Sequence, residues 1–335
     1  MRTVLNQFSS ILETSKDLAQ RYGKSSEYEI LDKFLTEEKN KSEFVLLFCG
    51  EFKRGKSSLV NSLLGENICP VADGITTSAV SIIRYGKDSK IVRYFTVLDE
   101  NEDRISVLNE EIAVEQMGDY VSGTSVSIGN TMYLEIEIPN DALSEGLVLI
   151  DTPGIGSLDP RHLFLTQQAL PKADAVFFVT DAYEPMLTTE LDFIRDKICP
   201  TEKPFGVLLN KSDMISRDET NRLKSDVEDK IFSYCGQEVH CIPVSAVQWE
   251  EFNSTGSERR KTNSNCEAVM SAIDSFKLHR NQIVENCFRF RFIEFISSLK
   301  SKIQESADDL ASKDYSQVAR KYEAEIEEYG ETGAF

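Results

Sequence analysis

With 335 residues, 41% of them hydrophobic and 28% charged, the chain reads as a soluble globular protein of one large domain plus an accessory element. Its formal net charge of -19 argues against sequence-independent nucleic-acid binding, which relies on a basic surface, and against a broad polybasic hold on anionic lipid. The seven cysteines (Cys49, Cys69, Cys199, Cys235, Cys241, Cys266, Cys287) include no C-x-x-C pair and read as reduced thiols of a cytoplasmic protein, not as zinc ligands or disulfides.

Residues 1 to about 40 carry a helical pattern. Leu5, Phe8, Ile11, Leu12, Leu18, Ala19 and Tyr22 keep to one face, a break falls at Gly23–Ser26, and Ile30, Leu31, Phe34 and Leu35 restart the pattern. Charges on both sides of this stretch exclude a signal peptide. Next, the apolar run Phe44–Cys49 predicts a buried strand leading into Gly50-Glu51-Phe52-Lys53-Arg54-Gly55-Lys56-Ser57-Ser58. That loop fits G-x-x-x-x-G-K-[ST], and leucines at helical spacing follow it up to Gly65. A strand, this loop and a helix together aim backbone N–H groups and a helix N-terminus at a phosphate. In such a loop the lysine, here Lys56, grips phosphates and the serine, here Ser57, faces a magnesium ion.

A threonine between the first helix and the second strand is where switch GTPases hold the ion and meet the γ-phosphate; Thr77 is the first candidate and Thr76 the second. Residues 86 to 140 alternate in polarity, with strands predicted at Ile91–Phe95 and Tyr133–Ile138 and a helix over Ser106–Met117. Leu147–Ile150 is a further buried strand, ending in Asp151-Thr152-Pro153-Gly154. A carboxylate at such a strand end holds magnesium through a water, and Gly154 offers an N–H to the γ-phosphate. The position after Gly154 is Ile155, so the water-orienting glutamine of small GTPases is missing there. Ile155–Leu170 reads as a switch segment, with His162 expected on its surface.

Ala175–Val179 is the next strand and Glu190–Ile198 the next helix; the strand Phe205–Leu209 then runs into Asn210-Lys211-Ser212-Asp213. N-K-x-D after a buried strand reads guanine. The Asp213 carboxylate accepts from two donors that adenine lacks, Lys211 lays its stem along the base, and Asn210 ties the loop to the phosphate site. Val239–Val244 ends at Ser245-Ala246, the expected place for a backbone contact to guanine O6, and Trp249–Asn265 reads as a polar surface excursion. In the last third, Val284, Phe288, Phe292, Phe295, Ile296, Leu299 and Ile303 form an apolar stripe, continued more weakly by Leu310, Val318, Tyr322, Ile326 and Tyr329. That stripe needs a partner, and the N-terminal helix has the complementary need.

Each tetrapeptide alone is commonplace; their order, each at a strand end, is specific for a GTPase with a doubly wound, mainly parallel α/β sheet. Residues 43 to 250 resemble bacterial members of the dynamin superfamily, chiefly in Gly50–Gly65, Thr76-Thr77-Ser78, Asp151–Gly154 and Asn210–Asp213. The resemblance implies a GTPase domain over residues 42–278, with N-terminal helices (1–41) and C-terminal helices (279–335) pairing as a helical neck bundle. It implies hydrolysis of GTP to GDP and phosphate with Mg2+, a monovalent cation at the site, and GTP-dependent homodimerisation through the GTPase domains. It also implies mechanical work on membranes, and a basic residue of the phosphate loop, Lys53 or Arg54, as a cation neutralising the transition state. The expected nucleotide contacts run from Glu51 to Ser58, with Gly154, Asn210, Lys211, Asp213, Ser245 and Ala246. Lys53, Arg54, Lys56 and Thr77 would serve catalysis; Ser57, Thr77 and Asp151 would serve the metal.

The chain departs from the family in length, and no run approaches the roughly 20 apolar residues of a membrane span. It is therefore expected either to be part of a longer protein or to act with a partner such as a second dynamin-like protein, peripherally at the inner face of a membrane. Two other readings stay open: a soluble regulatory switch GTPase, and a GTP-binding assembly scaffold with little turnover.

Overall fold

The strands Phe44–Cys49 (β1), Val80–Tyr85 (β2), Lys90–Leu98 (β3), Ile105–Ile112 (β4), Thr131–Ile138 (β5), Leu147–Asp151 (β6), Ala175–Asp181 (β7), Phe205–Asn210 (β8) and Cys241–Pro243 (β9) form one sheet. The computed structural model describes residues 2–40, 43–71, 79–98, 105–113, 120, 131–156, 160–312 and 320. Strands β1, β6, β7 and β8 are buried along nearly their whole length because their sequences are almost continuously apolar. Such strands are stable only between two covering layers. The order is β4-β3-β5-β2-β6-β1-β7-β8-β9. β1 runs parallel to β6 and β7, β7 to β8, and β8 to β9. β2 is antiparallel to β6 but parallel to β5, and β3 is antiparallel to both β5 and β4. This is the doubly wound, mainly parallel α/β sheet that the sequence predicts. The chain winds to one side of β1 and then to the other, so the loop leaving β1 opens at a topological switch point.

Alternation along β1 divides the core into two layers. Leu46 and Phe48 face the helix Lys56–Leu64, Trp249 and the helix Cys266–Leu278. Leu47 and Cys49 face the layer holding Leu165, Phe193, Val227 and Ile231. Each large side chain so buried contributes about 1.5–3 kcal/mol relative to exposure.

Two segments differ from the sequence-based expectation. Of Ser106–Met117, predicted helical, residues up to Ile112 are strand β4, held by register pairs from Leu98↔Ile105 to Ile91↔Ile112; residues 114–117 lie outside the described residues. The apolar spacing there fits a helix, and pairing with β3 overrides it. Trp249–Asn265 is no surface excursion. It holds the helices Ala246–Thr255 and Glu258–Ser264, and Trp249 is buried in the core because this amphipathic turn packs on Lys56–Leu64.

The chain divides into two compact units, residues 41–284 and residues 1–40 with 285–335. In the second unit the helices Arg2–Thr14, Lys16–Arg21 and Ser25–Asn40 join the part of the long helix Arg280–Ser312 that belongs to it. Phe8 stacks on Phe288 with ring centroids 4.4 Å apart, and Arg291 lies over the Phe34 ring at 4.8 Å. Leu12, Ala19, Leu31, Leu35, Phe295 and Leu299 are buried, whereas Ile11, Leu18 and Ile296, expected on the inner face, are exposed. The tighter inner spacing of Phe8, Leu12, Ser15 and Ala19 leaves Ile11 and Leu18 off the buried stripe. Val318, Tyr322, Ile326 and Tyr329 lie outside the described residues, as does the side chain of Leu310.

Candidate nucleotide site

The loop leaving β1 is shaped by close approaches that only glycine permits. Gly50 has φ 145°, and a Cβ there would stand 2.1 Å from the Val179 carbonyl oxygen. Gly55 has φ 87°, and a Cβ would lie 2.3 Å from Asn210 Nδ2. Between them Lys53 adopts φ 60°, a left-handed conformation that costs a non-glycine residue roughly 1–2 kcal/mol. Lys56 opens the following helix, and its buried ammonium donates to the Gly50 carbonyl (3.1 Å) and the Glu51 carbonyl (2.8 Å). Burial pushes the Lys56 pKa down, opposed by the Asp151 carboxylate. The loop thus holds a folded cradle around its own lysine, in the place where phosphate oxygens would replace the two carbonyls.

At the end of β6, Asp151 is fully buried and its Oδ2 accepts from Ser57 Oγ at 2.6 Å. Its other oxygen, Oδ1, has no hydrogen-bond partner among the described residues. Burial raises the Asp151 pKa, against the Ser57 hydrogen bond and the Lys56 charge. A buried carboxylate with an unpartnered oxygen beside a serine hydroxyl fits a hard, oxygen-liganded cation such as Mg2+. Among the described residues no group of three or more His, Cys, Asp or Glu side chains converges. Gly154 approaches the phosphate loop closely: a Cβ there would lie 2.6 Å from Phe52 Cα, and Ile155 N–H donates to the Gly50 carbonyl at 3.1 Å. Thr76 and Thr77 lie outside the described residues. His162, expected at the surface, is buried on the helix Pro160–Ala169, where the helix packs its inner face against the sheet.

Asn210, at the end of β8, joins three parts of the site. Its Nδ2 donates to the Arg54 carbonyl at 2.9 Å and its Oδ1 accepts from Ala246 N–H at 3.2 Å. Ala246 N–H, expected at guanine O6, is therefore occupied by this bond. Ser245 is buried and caps its helix by accepting from Gln248 N–H at 3.1 Å. Lys211, left-handed at φ 62°, donates to the Lys53 carbonyl (3.0 Å) and to Asp181 Oδ2 (2.7 Å). Asp213 is exposed at the rim of a polar cavity of about 590 Å3.

Lys53 and Arg54, the paired candidates for a phosphate-neutralising cation, have opposite environments. Lys53 is exposed and its ammonium lies 5.3 Å from the Phe52 ring centroid. The Arg54 guanidinium turns inward and is buried. Its Nη1 donates to Asp181 Oδ1 (2.8 Å), its Nε to Glu190 Oε1 (3.2 Å) and its Nη2 to the Glu184 carbonyl (3.2 Å). Swinging onto a phosphate would cost Asp181 and Glu190 this shared guanidinium, so the geometry favours Lys53 over Arg54 as that cation. Burial alone would raise the Asp181 pKa, but the Lys211 hydrogen bond and the Arg54 charge outweigh it and hold it below the usual carboxylate range. Glu190 is shifted up by burial, with Arg54 opposing. Neither carboxylate stands in a motif, and sequence reasoning missed both. The available signal was Asp181 at the C-terminal end of an apolar strand, the same signal that marks Asp151.

Residues 46–212 match the family model described as "Dynamin family". An uncharacterised protein encoded in the xynA 3' region of Caldicellulosiruptor sp. (strain Rt8B.4) is 32% identical over 215 residues, covering 63% of this chain and 51% of that protein. A bacterial dynamin-like protein of Nostoc punctiforme (strain ATCC 29133 / PCC 73102) is 24% identical over 218 residues, 59% of this chain and 31% of its own length. The solved structure of an oligomerised bacterial dynamin pair, described as sensing and tethering membranes, superimposes with a TM-score of 0.60 at 16% identity, covering 99% of this chain and 52% of that one. The matches thus span about half or less of these relatives' length.

Proposed function

Because the chain belongs to the dynamin superfamily of GTP hydrolases, we propose that it hydrolyses GTP to GDP and phosphate and couples turnover to pairing of its GTPase domains. One observation carries the reading: Asn210 bonds both the phosphate loop, at Arg54, and the base-proximal loop, at Ala246. A ligand held there has a phosphate end and a base end at a fixed separation. Asp213 reads the base as guanine, and Lys211 supports it from below. Gly55, Lys56, Ser57 and Ser58 hold the phosphates, with Glu51, Phe52 and Gly154 closing over the terminal one. Ser57 would hold a magnesium ion directly and Asp151 through water, with Thr77 as a third donor; the bound ion neutralises charge on the phosphate oxygens. Lys53, exposed beside the Phe52 ring, supplies the remaining positive charge as the bond to the leaving phosphate breaks. A monovalent cation at the site adds to that positive charge in this reading.

The oligomeric bacterial dynamin relatives support self-association, which would bring two nucleotide faces together. We place the protein in the cytoplasm, acting peripherally on membranes through a partner chain; among the described residues no helix is long and apolar enough to cross a membrane. The test is phosphate release from GTP with Mg2+ by the wild type and by Lys56→Ala. Turnover in the wild type and a loss of at least a hundredfold in the variant, about 2.7 kcal/mol, is the expected result. Normal turnover in Lys56→Ala would contradict the phosphate-loop assignment.

A further inference from the structure

We infer that Asp181 and Glu190, which lie outside every nucleotide motif, are positioning residues that hold Arg54 and Lys211 so that Lys53 presents its side chain to the terminal phosphate. The inference rests on the GTPase reading above and assigns a regulating carboxylate pair to that site.

The geometry forms a closed ring. Lys211 Nζ spans from the Lys53 carbonyl (3.0 Å) to Asp181 Oδ2 (2.7 Å), while Asp181 Oδ1 takes Arg54 Nη1 (2.8 Å). Arg54 is the residue after Lys53, and its carbonyl is held by Asn210, the residue before Lys211. Two consecutive residues of the phosphate loop are therefore fastened to two consecutive residues of the base loop, with one carboxylate in the middle. Asp181 is itself fixed by the N–H groups of Tyr183 (3.1 Å) and Glu184 (3.3 Å). Glu190 backs the ring from the other side. Its Oε1 accepts from Arg54 Nε (3.2 Å), and its Oε2 accepts from Thr180 Oγ1 (3.1 Å) and Leu187 N–H (3.0 Å).

Lys53 and Lys211 are both left-handed, at φ 60° and φ 62°. A strained backbone persists only where its surroundings over-determine it. Here the surroundings are charge-assisted bonds among groups withdrawn from water: Arg54, Asp181 and Glu190 are all buried. Removing the Asp181 charge leaves Arg54 with Glu190 and the Glu184 carbonyl, and leaves Lys211 with the Lys53 carbonyl but without its carboxylate anchor, so the Lys53 peptide can relax and its side chain loses its aim. Glu51 adds to the enclosure at 3.8 Å from Arg54 and also accepts from the Thr189 hydroxyl.

The experiment is a double-mutant cycle on kcat for GTP, using wild type, Lys53→Ala, Asp181→Asn and the double variant, below the melting temperature of each. If Asp181 works through Lys53, Asp181→Asn lowers kcat about tenfold in the wild type and less than about twofold when Lys53 is already alanine. Equal fractional losses in both backgrounds, as a merely structural lesion would give, overturn the inference, as does unchanged kcat in Asp181→Asn. Should Asp181→Asn fail to fold, Glu190→Gln takes its place in the same cycle with the same criteria. Absence of GTP turnover in the wild type would be a failure of the GTPase reading instead. Binding of a fluorescent non-hydrolysable GTP analogue, compared with the GDP analogue, then decides the inference: a loss of about tenfold in Asp181→Asn confined to the triphosphate supports it, and equal triphosphate binding, or an equal loss for both nucleotides, overturns it.

Discussion

Asp213 stands exposed on the loop after β8, where in the proposed function its carboxylate chooses the base. Guanine donates from its ring N1–H and its amine, and an amide in place of the carboxylate meets one of those donors with another donor. Asp213→Asn is therefore expected to shift preference from GTP toward xanthosine triphosphate, whose carbonyl suits the amide. Competition binding of the two nucleotides checks this, and unchanged GTP selectivity would remove Asp213 from the base-reading role. The contrast of Asp151 with Asp181 shows what single residues reveal before folding. Both end apolar strands, but Asp151 is followed by Thr-Pro-Gly and Asp181 by Ala-Tyr-Glu-Pro, which matches no motif. Asp181 acquires its role from Arg54, 127 positions away along the chain, and Glu190 from the same arginine, 136 away. Lys53 and Arg54 were indistinguishable as a dipeptide for the same reason. Only the buried carboxylates assign one side chain inward and leave the other outward.

Elements whose partners lie on both faces were legible, because continuous apolar runs such as Phe44–Cys49 and Ala175–Val179 leave little alternative to a buried parallel strand. Elements with one partner were less so. In Ile105–Ile112 the spacing of Val107, Leu108 and Ile112 suits a helix, and only the β3 ladder selects the strand. Trp249 sits in a stretch otherwise rich in Asn, Ser, Glu and Arg, so its burial was hidden by its polar neighbours. The apolar stripe of the long helix Arg280–Ser312 yields a prediction at this scale. Phe288 is buried and stacked on Phe8, so Phe288→Ala leaves a cavity in the helical unit and lowers stability by about 3 kcal/mol. Urea unfolding followed by far-UV circular dichroism measures it, and a loss below about 1 kcal/mol would show that the stacked pair contributes little. Guanine nucleotide affinity stays at the wild-type value in that variant, since Phe288 belongs to the helical unit and not to the nucleotide domain.

At the scale of the whole molecule, the proposed site combines a cradle, a base-reading carboxylate and an outward-facing lysine, but Ile155 stands where a water-orienting glutamine would be. In the proposed function a second copy makes up for that residue by covering the nucleotide face. Pairing driven by mass action makes turnover per molecule depend on protein concentration. The same chain acting as a lone switch GTPase would turn over at a constant rate per molecule, and a scaffold would bind GTP without releasing phosphate. The most direct measurement is the specific GTPase rate of the intact chain across at least a hundredfold range of protein concentration, at saturating GTP and Mg2+. The account predicts a rate per molecule that rises with concentration to a plateau; a rate independent of concentration over the whole range would contradict it.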